Sequence, residues 1–135
     1  MAIEKTLSII KPDAVKRNLI GNIINKIEEQ DLVPIEMKML QLSEKESSKF
    51  YEIHKEKPFF TQLVDYMTSG KIIVMVLEGD NAVNKYRDLI GSTDPNKAKE
   101  GSIRKLYALN TTQNSVHASD SLENAKREIE FFFNI

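Results

Sequence analysis

The chain has 135 residues, 41% of them apolar and 29% charged, with a formal net charge of -1. That is enough length for one hydrophobic core and a single domain over residues 1–135, and the charge balance excludes a broadly basic surface for duplex nucleic acid. Cysteine is absent and histidine occurs twice, which excludes disulfides, thiolate zinc sites and a cysteine nucleophile, and leaves too few ligands for a protein-held transition metal.

Thr6 to Ile10 is an apolar run stopped by Lys11-Pro12, so a strand ending in a loop is expected. Leu19, Ile20, Ile23, Ile24 and Ile27 recur at helical spacing. Leu32 to Leu42 alternates, with Val33, Ile35, Met37 and Met39 assigned to one side of a half-buried strand. Ser43, with Glu46 three residues on, has the form of a capping box and opens a helix. Pro58 interrupts before a second helical piece, Phe59 to Met67, ended by Ser69-Gly70.

Ile72 to Leu77 is continuously apolar and reads as a central strand. Asp80 or Asn81 is placed to cap a helix over Ala82 to Leu89, closed by Gly91. The polar stretch Ser92 to Gly101 is longer than a compact domain tolerates without a functional reason. Val116 and its neighbours fit a short edge strand. Ser121 with Asn124, then Leu122, Ala125, Ile129 and Phe132, reads as the last helix. This order fits an α+β fold: a ferredoxin-like split βαβ sandwich with an antiparallel sheet and added helices.

No signal peptide is visible and no apolar run is long enough to span a bilayer, so a cytoplasmic protein is expected. Asn110-Thr111-Thr112 matches a glycosylation pattern and is expected to stay unmodified there. No glycine-rich phosphate cradle exists, because the five glycines are scattered. A phosphate site must therefore be built from side chains. Lys11, Arg87 and Arg104 sit near the ends of predicted elements, where cations converge on a cleft; singly, each reads equally as one of 19 ordinary Lys and Arg.

His117 stands in Asn114-Ser115-Val116-His117-Ala118-Ser119-Asp120-Ser121, beside small hydroxyl residues and an acid. Such a histidine can be a base, a ligand or a covalent nucleophile, or simply a satisfied residue on an edge strand. His54 reads as structural or cleft-lining. Phe59 and Phe60 read as core aromatics by composition.

The motifs Leu7-Ser8-Ile9-Ile10-Lys11-Pro12-Asp13-Ala14-Val15, His54-Lys55-Glu56-Lys57-Pro58-Phe59-Phe60, Arg87-Asp88-Leu89-Ile90-Gly91-Ser92-Thr93 and Gly101-Ser102-Ile103-Arg104 precede the histidine motif in order. Together, from Lys5 to Phe133, the chain resembles the nucleoside diphosphate kinase family, and the Asn114 to Asp120 stretch and short tail resemble its Gram-negative bacterial type. The resemblance implies that His117 carries the phosphoryl group between a nucleoside triphosphate and a diphosphate. It implies that Lys11, Tyr51, Arg87, Thr93, Arg104 and Asn114 contact phosphates, with Lys11 and Asn114 also reaching the ribose. Glu128 would fix the imidazole through its other nitrogen, supported by Ser119. Phe59 would stack on the base, with Thr111 across the slot where relatives carry an apolar residue. Mg2+, held mainly by the nucleotide phosphates and not by a protein metal site, is the implied cofactor. ATP, GDP and nucleotides of other bases, ribo and deoxy, are the implied partners.

A homo-oligomer is expected from exposed apolar surface on the first helix and the Leu32 to Leu42 strand. The resemblance favours a tetramer over a hexamer. Relatives usually have Gly where this chain has Ala118; if that position needs φ > 0, Ala adds roughly 1 kcal/mol of strain. Lys105-Leu106 also departs from the family pattern. A catalytically idle relative that binds nucleotide or a single strand is the competing reading; an interaction module is a third. The intact set of Lys11, Tyr51, Arg87, Arg104, Asn114 and His117 favours the enzyme.

Overall fold

The computed structural model describes residues 3–135; residues 1 and 2 of the expected domain lie outside the described residues. Its strands are β1 (Ile3–Ile10), β2 (Val33–Leu40), β3 (Ile72–Asp80) and β4 (Val116–Ala118), and they form one sheet in the order β2-β3-β1-β4. All neighbours are antiparallel. The helices are α1 (Pro12–Lys16), α2 (Ile20–Glu29), α3 (Glu44–Phe50), α4 (Phe60–Met67), α5 (Ala82–Ile90), α6 (Ile103–Tyr107) and α7 (Leu122–Phe133). β1 and β2 are parallel with β3 between them, and β3 and β4 are parallel with β1 between them. This is the expected split βαβ arrangement.

The sheet has a core on each face. Ile73, Met75 and Leu77 pack with α2 and α5 through Ile23, Ile27 and Tyr86. Ile72, Val74 and Val76 pack with α3, α4 and α7 through Phe50, Met67 and Phe132. Burial on both faces is why Ile72 to Leu77 is apolar without alternation.

Local sequence sets most element ends. Ser43 Oγ accepts from the Glu46 N–H while Glu46 Oε1 accepts from the Ser43 N–H, the reciprocal capping box. Ser121 Oγ accepts from the Asn124 N–H and opens α7. Gly91 closes α5 at φ 85°, and a Cβ there would meet Ser102 Oγ at 2.6 Å, so glycine is required twice over.

Four expectations are corrected. Lys11-Pro12 does not lead into loop: Pro12 occupies the first turn of α1, where its missing N–H costs nothing. The Asn81 side chain makes no cap hydrogen bond to α5. Asn81 is left-handed at φ 53°, and Glu4 Oε1 of β1 accepts from the Val83 N–H at 3.2 Å instead. The strand from Leu32 is not half-buried: from Val33 to Leu40 it is exposed or intermediate throughout, because it is an edge strand. A register shift between Pro34 and Glu36 also splits its apolar set. Val33 pairs with Glu78, on the face of Val76, whereas Met37 and Met39 pair with Met75 and Ile73 on the opposite face. Finally, the first long helix leaves little apolar surface over: Ile23 and Ile27 are buried, and Leu19, Ile20 and Ile24 pack against the core.

Candidate active site

The ends of β1 and β4, the start of α4, the end of α5, α6 and the buried side of α7 meet around a cleft of about 630 Å³. Every site residue expected from sequence lines it except Ser119, which is fully buried one layer behind.

β4 pairs with β1, setting His117 opposite Ile9. Its Nε2 lies 2.9 Å from Glu128 Oε1, and the same carboxylate oxygen accepts from Ser119 Oγ at 2.7 Å. Phe50 packs its ring edge-on to the imidazole at 5.6 Å. Burial pushes the Glu128 carboxyl up, but His117, Ser119 and Arg127 outweigh it and hold the group below its ordinary value. An imidazole fixed in this way has one nitrogen anchored and the other available for chemistry.

The cations are held differently from one another. Lys11 follows β1 directly, is buried, and donates from Nζ to Asn114 Oδ1 at 2.8 Å. Burial lowers its pKa to about 7, the nearby Arg104 charge adds to that, and Asp13 opposes it. Arg104 is buried on α6. It donates to the Gly91 carbonyl at 3.1 Å and the Val116 carbonyl at 2.9 Å, while its Nε finds no partner among the described residues. Burial pulls its pKa down to about 10, which still leaves it charged at neutral pH. Arg87 is exposed near the end of α5 and also lines a neighbouring groove with Lys97 and Lys99.

Tyr51, at the end of α3, is buried, and its hydroxyl likewise has no partner among the described residues. Burial, then the charge of Glu128, raises its pKa, so the phenol stays a donor. An unpaired buried hydroxyl and an unpaired guanidinium N–H beside one cleft suit a ligand rich in acceptor oxygens. Asn114 completes this wall, donating from Nδ2 to the Thr111 carbonyl at 3.0 Å. Thr93 is an exposed lining residue of the loop after α5.

Phe59 is 45% exposed at the start of α4, whereas Phe60 packs into the core of that face. Composition alone could not separate these two neighbours. Phe59 and Thr111 both line the cleft, and His54 lines it with its ring 5.6 Å from that of Phe59. Ala118 does not carry a positive φ; it is an ordinary residue of β4, so the expected strain does not arise there. The positive φ of this segment belongs to Ser115, at 73°.

Sequence reasoning assigned no role to Arg127 or Asp120, which also line the cleft. Arg127 Nη2 lies 3.7 Å from Glu128 Oε2. Sequence offered no signal for it, since adjacent helix positions rarely share a cleft and Glu128 already held that face. Asp120 accepts from Asn124 at 2.5 Å, an acid held by the start of α7.

Residues 4–135 match the family model described as nucleoside diphosphate kinase. A nucleoside diphosphate kinase of Nitratiruptor is 60% identical over 131 residues, covering 97% of this chain and 96% of that protein. One of Wolbachia pipientis is 56% identical over 133 residues, covering 98% and 96%. The crystal structure of the Aquifex aeolicus nucleoside diphosphate kinase superposes with a TM-score of 0.95 at 38% identity, covering 98% of this chain and 96% of that one. Matched from its first strand to its last residue by that model, and more than half identical to such relatives, the chain belongs to the nucleoside diphosphate kinase family.

Proposed function

We propose that this protein moves the terminal phosphoryl group of a nucleoside triphosphate to a nucleoside diphosphate through a phosphohistidine on His117. Its family membership supports the reaction. The observation that carries the assignment is the fixing of His117 Nε2 by Glu128 and Ser119 beside a cleft that gathers Lys11, Arg87 and Arg104. With Nε2 anchored, Nδ1 attacks the γ-phosphorus. The bond to the β–γ bridging oxygen breaks, and that oxygen leaves with the diphosphate. In the second half, a terminal oxygen of an acceptor diphosphate attacks the same phosphorus, the Nδ1–P bond breaks with its electron pair returning to the ring, and neutral His117 is restored.

Phosphoryl transfer asks for positioning and for donors to the equatorial oxygens. Lys11, Arg104, Arg87, the Tyr51 hydroxyl and Thr93 supply those donors. Lys11 and Asn114, joined to each other, reach toward the ribose. Glu128 stabilises the positive charge that grows on the imidazole as its Nδ1 forms the new bond. Phe59 offers a ring face to the base, with Thr111 across the slot. Stacking reads no base edge, which suits use of every base.

Mg2+ fits this cleft as a companion of the nucleotide. Its lining acids are Glu128, already engaged, and Asp120, and among the described residues no group of three possible ligands forms a protein metal site. The phosphates would hold the ion, with Asp120 the one acid placed for its water shell. When bound, the ion supplies neutralisation of phosphate charge.

Among the described residues no helix is long and apolar enough to cross a membrane, and a cytoplasmic location follows the family. The exposed apolar residues of β2 support assembly as a homo-oligomer, read as a tetramer built from dimers.

Incubating the pure protein with γ-labelled ATP tests the reaction. The expected result is acid-labile, base-stable label on the chain that GDP removes as GTP. Label persisting in His117→Ala, or GTP formed by that variant at the normal rate, would overturn the assignment.

A further inference from the structure

Asp13 of α1 does not line the cleft, yet it is the most heavily bonded carboxylate near it. It is buried, and two oxygens take four donors. Oδ1 accepts from the Tyr66 hydroxyl and from the Ser115 N–H at 3.3 Å. Oδ2 accepts from Ser115 Oγ at 2.9 Å and from Arg17 Nη2 at 3.0 Å. The Tyr66 hydroxyl accepts in return from the Asp13 N–H at 2.9 Å, and Arg17 goes on to donate to the Tyr107 carbonyl at 2.5 Å. One carboxylate, with the Arg17 it holds, thus ties α1, α4 and the end of α6 to Ser115.

What it grips is a turn. Ser115 has φ 73°, and the Val116 N–H donates to the Asn114 carbonyl at 2.9 Å. A three-residue turn with positive φ at its centre is rare and strained, and it persists only where its surroundings over-determine it. Serine is a poor residue for that conformation. The turn separates Asn114 from His117, and the Ser115 carbonyl accepts from the Lys11 N–H at 2.8 Å. Relaxation of Ser115 to negative φ would swing Asn114, and the Lys11 side chain bonded to it, away from the imidazole.

We infer that Asp13 is a positioning residue for the proposed phosphoryl transfer: its buried carboxylate clamps the strained turn at Ser115 and so sets Asn114 and Lys11 against His117. The inference rests on the reaction proposed above only for its consequence in turnover; the clamp itself is read separately.

Asp13→Asn is the sharp variant. An amide nitrogen in place of Oδ1 faces the Ser115 N–H, and in place of Oδ2 it faces Arg17. Neither can accept, so one side of the clamp is lost in either orientation. Three quantities are measured on wild type and variants: amide hydrogen exchange at Ser115 and Val116, the melting temperature, and kcat and KM for GTP formation per folded molecule. Asp13→Asn should exchange both amides faster by about tenfold or more, and lose about tenfold or more in kcat/KM with the larger part in kcat. A residue that only held the fold together would lower the melting temperature and leave turnover per folded molecule alone.

Adding Ser115→Gly to Asp13→Asn removes the φ strain, so the turn no longer needs its clamp, and about threefold or more of the lost kcat/KM should return. Should Asp13→Asn fail to fold, Tyr66→Phe removes one of the four donors and leaves the charge. It should then speed exchange at the turn and lower kcat by about two- to fivefold. Unchanged exchange at Ser115 and Val116 in the folded variant, or no return of activity in the double variant, overturns the inference. A wild-type protein that forms no phosphohistidine overturns the proposed reaction instead, and leaves the exchange result standing.

Discussion

Lys11 Nζ donates to Asn114 Oδ1 over 2.8 Å, joining side chains 103 positions apart across the floor of the cleft. Burial, then Arg104, lowers the pKa of this amine to about 7, so near neutral pH it is divided between its charged and neutral forms. Phosphate oxygens bound in the cleft as proposed should reverse that balance and restore the charge.

Nucleotide binding should therefore take up a proton. Above pH 7 the free protein has begun to lose the Lys11 proton while the complex keeps it, so ADP affinity should fall as pH rises from about 7 to 9. The same group affects folding in the opposite sense to a paired lysine. Its pKa is lower folded than unfolded, so the unfolded chain holds more protons between about 7 and 10.5, and this contribution to stability improves with pH across that window. Calorimetric titration of ADP in buffers of different ionisation enthalpy reads the uptake directly. Heat independent of buffer at pH 8 would contradict it, and Lys11→Met should abolish the dependence.

Glu128 offers a separation of charge from geometry. Its Oε1 accepts from both His117 Nε2 and Ser119 Oγ, and a glutamine oxygen can accept both. Glu128→Gln should keep the ring in place and lose the charge-assisted part of the bond. A bond to a charged group contributes roughly 1.5–3 kcal/mol against about 1 for a neutral one, so the loss is roughly 0.5–2 kcal/mol, a fall of about 2- to 30-fold in the rate of His117 phosphorylation. Quenched-flow labelling checks this. The carboxyl is held below its ordinary value when folded, so its contribution is present above the usual carboxylate range and is lost as pH falls through the lowered value. The stability difference between wild type and Glu128→Gln should narrow toward acid pH.

Arg104 and Arg87 are expected from sequence to act alike, through phosphate oxygens alone. The structure divides them. Arg104 holds the Gly91 and Val116 carbonyls, so Arg104→Ala leaves two acceptors short of a donor. It should cost about 1–3 kcal/mol of stability as well as about 2–4 kcal/mol of transition-state stabilisation. Arg87 is exposed, and Arg87→Ala should lower kcat/KM with stability within about 0.5 kcal/mol of wild type. Urea unfolding beside steady-state kinetics distinguishes the two. Equal stability of both variants would mean that the carbonyl contacts of Arg104 carry no weight.

The division between these arginines marks where sequence reading stops. Ser43 with Glu46 and Ser121 with Asn124 were legible because a cap acts over three residues. The central strand was legible because burial on both faces removes alternation. His117 and Glu128 became legible only through the family resemblance. The carbonyl partners of Arg104, the Glu4 cap on α5 and the four donors on Asp13 come from distant segments and leave no local signature. The bulge in β2 depends on its pairing with β3, and Ser115 has no side-chain trait that announces a positive φ. Helix α1, five residues long, is too short for any period to show.

The bulged edge strand also makes the last prediction. Val33, Ile35, Met37 and Met39 are 56%, 39%, 49% and 50% exposed. They lie on a strand whose outer edge pairs with no other strand among the described residues. An apolar edge of this kind is a site of association or of aggregation unless covered. Pro34, Glu36 and Lys38 interrupt it, which disfavours open-ended strand addition and leaves a closed, symmetric contact as the better solution. Lys38 also donates to the Phe132 carbonyl at the end of α7, so this edge is braced from behind. Sedimentation of the wild type at micromolar concentration should give a mass near four times the 15.5 kDa chain. Met37→Glu with Met39→Lys places charge on the patch without touching the cleft. It should dissociate the assembly, by roughly 1.5–3 kcal/mol per buried side chain lost from the contact, while the monomer keeps its fold. A wild-type monomer, or an assembly unmoved by both substitutions, would mean that β2 faces water in the working protein.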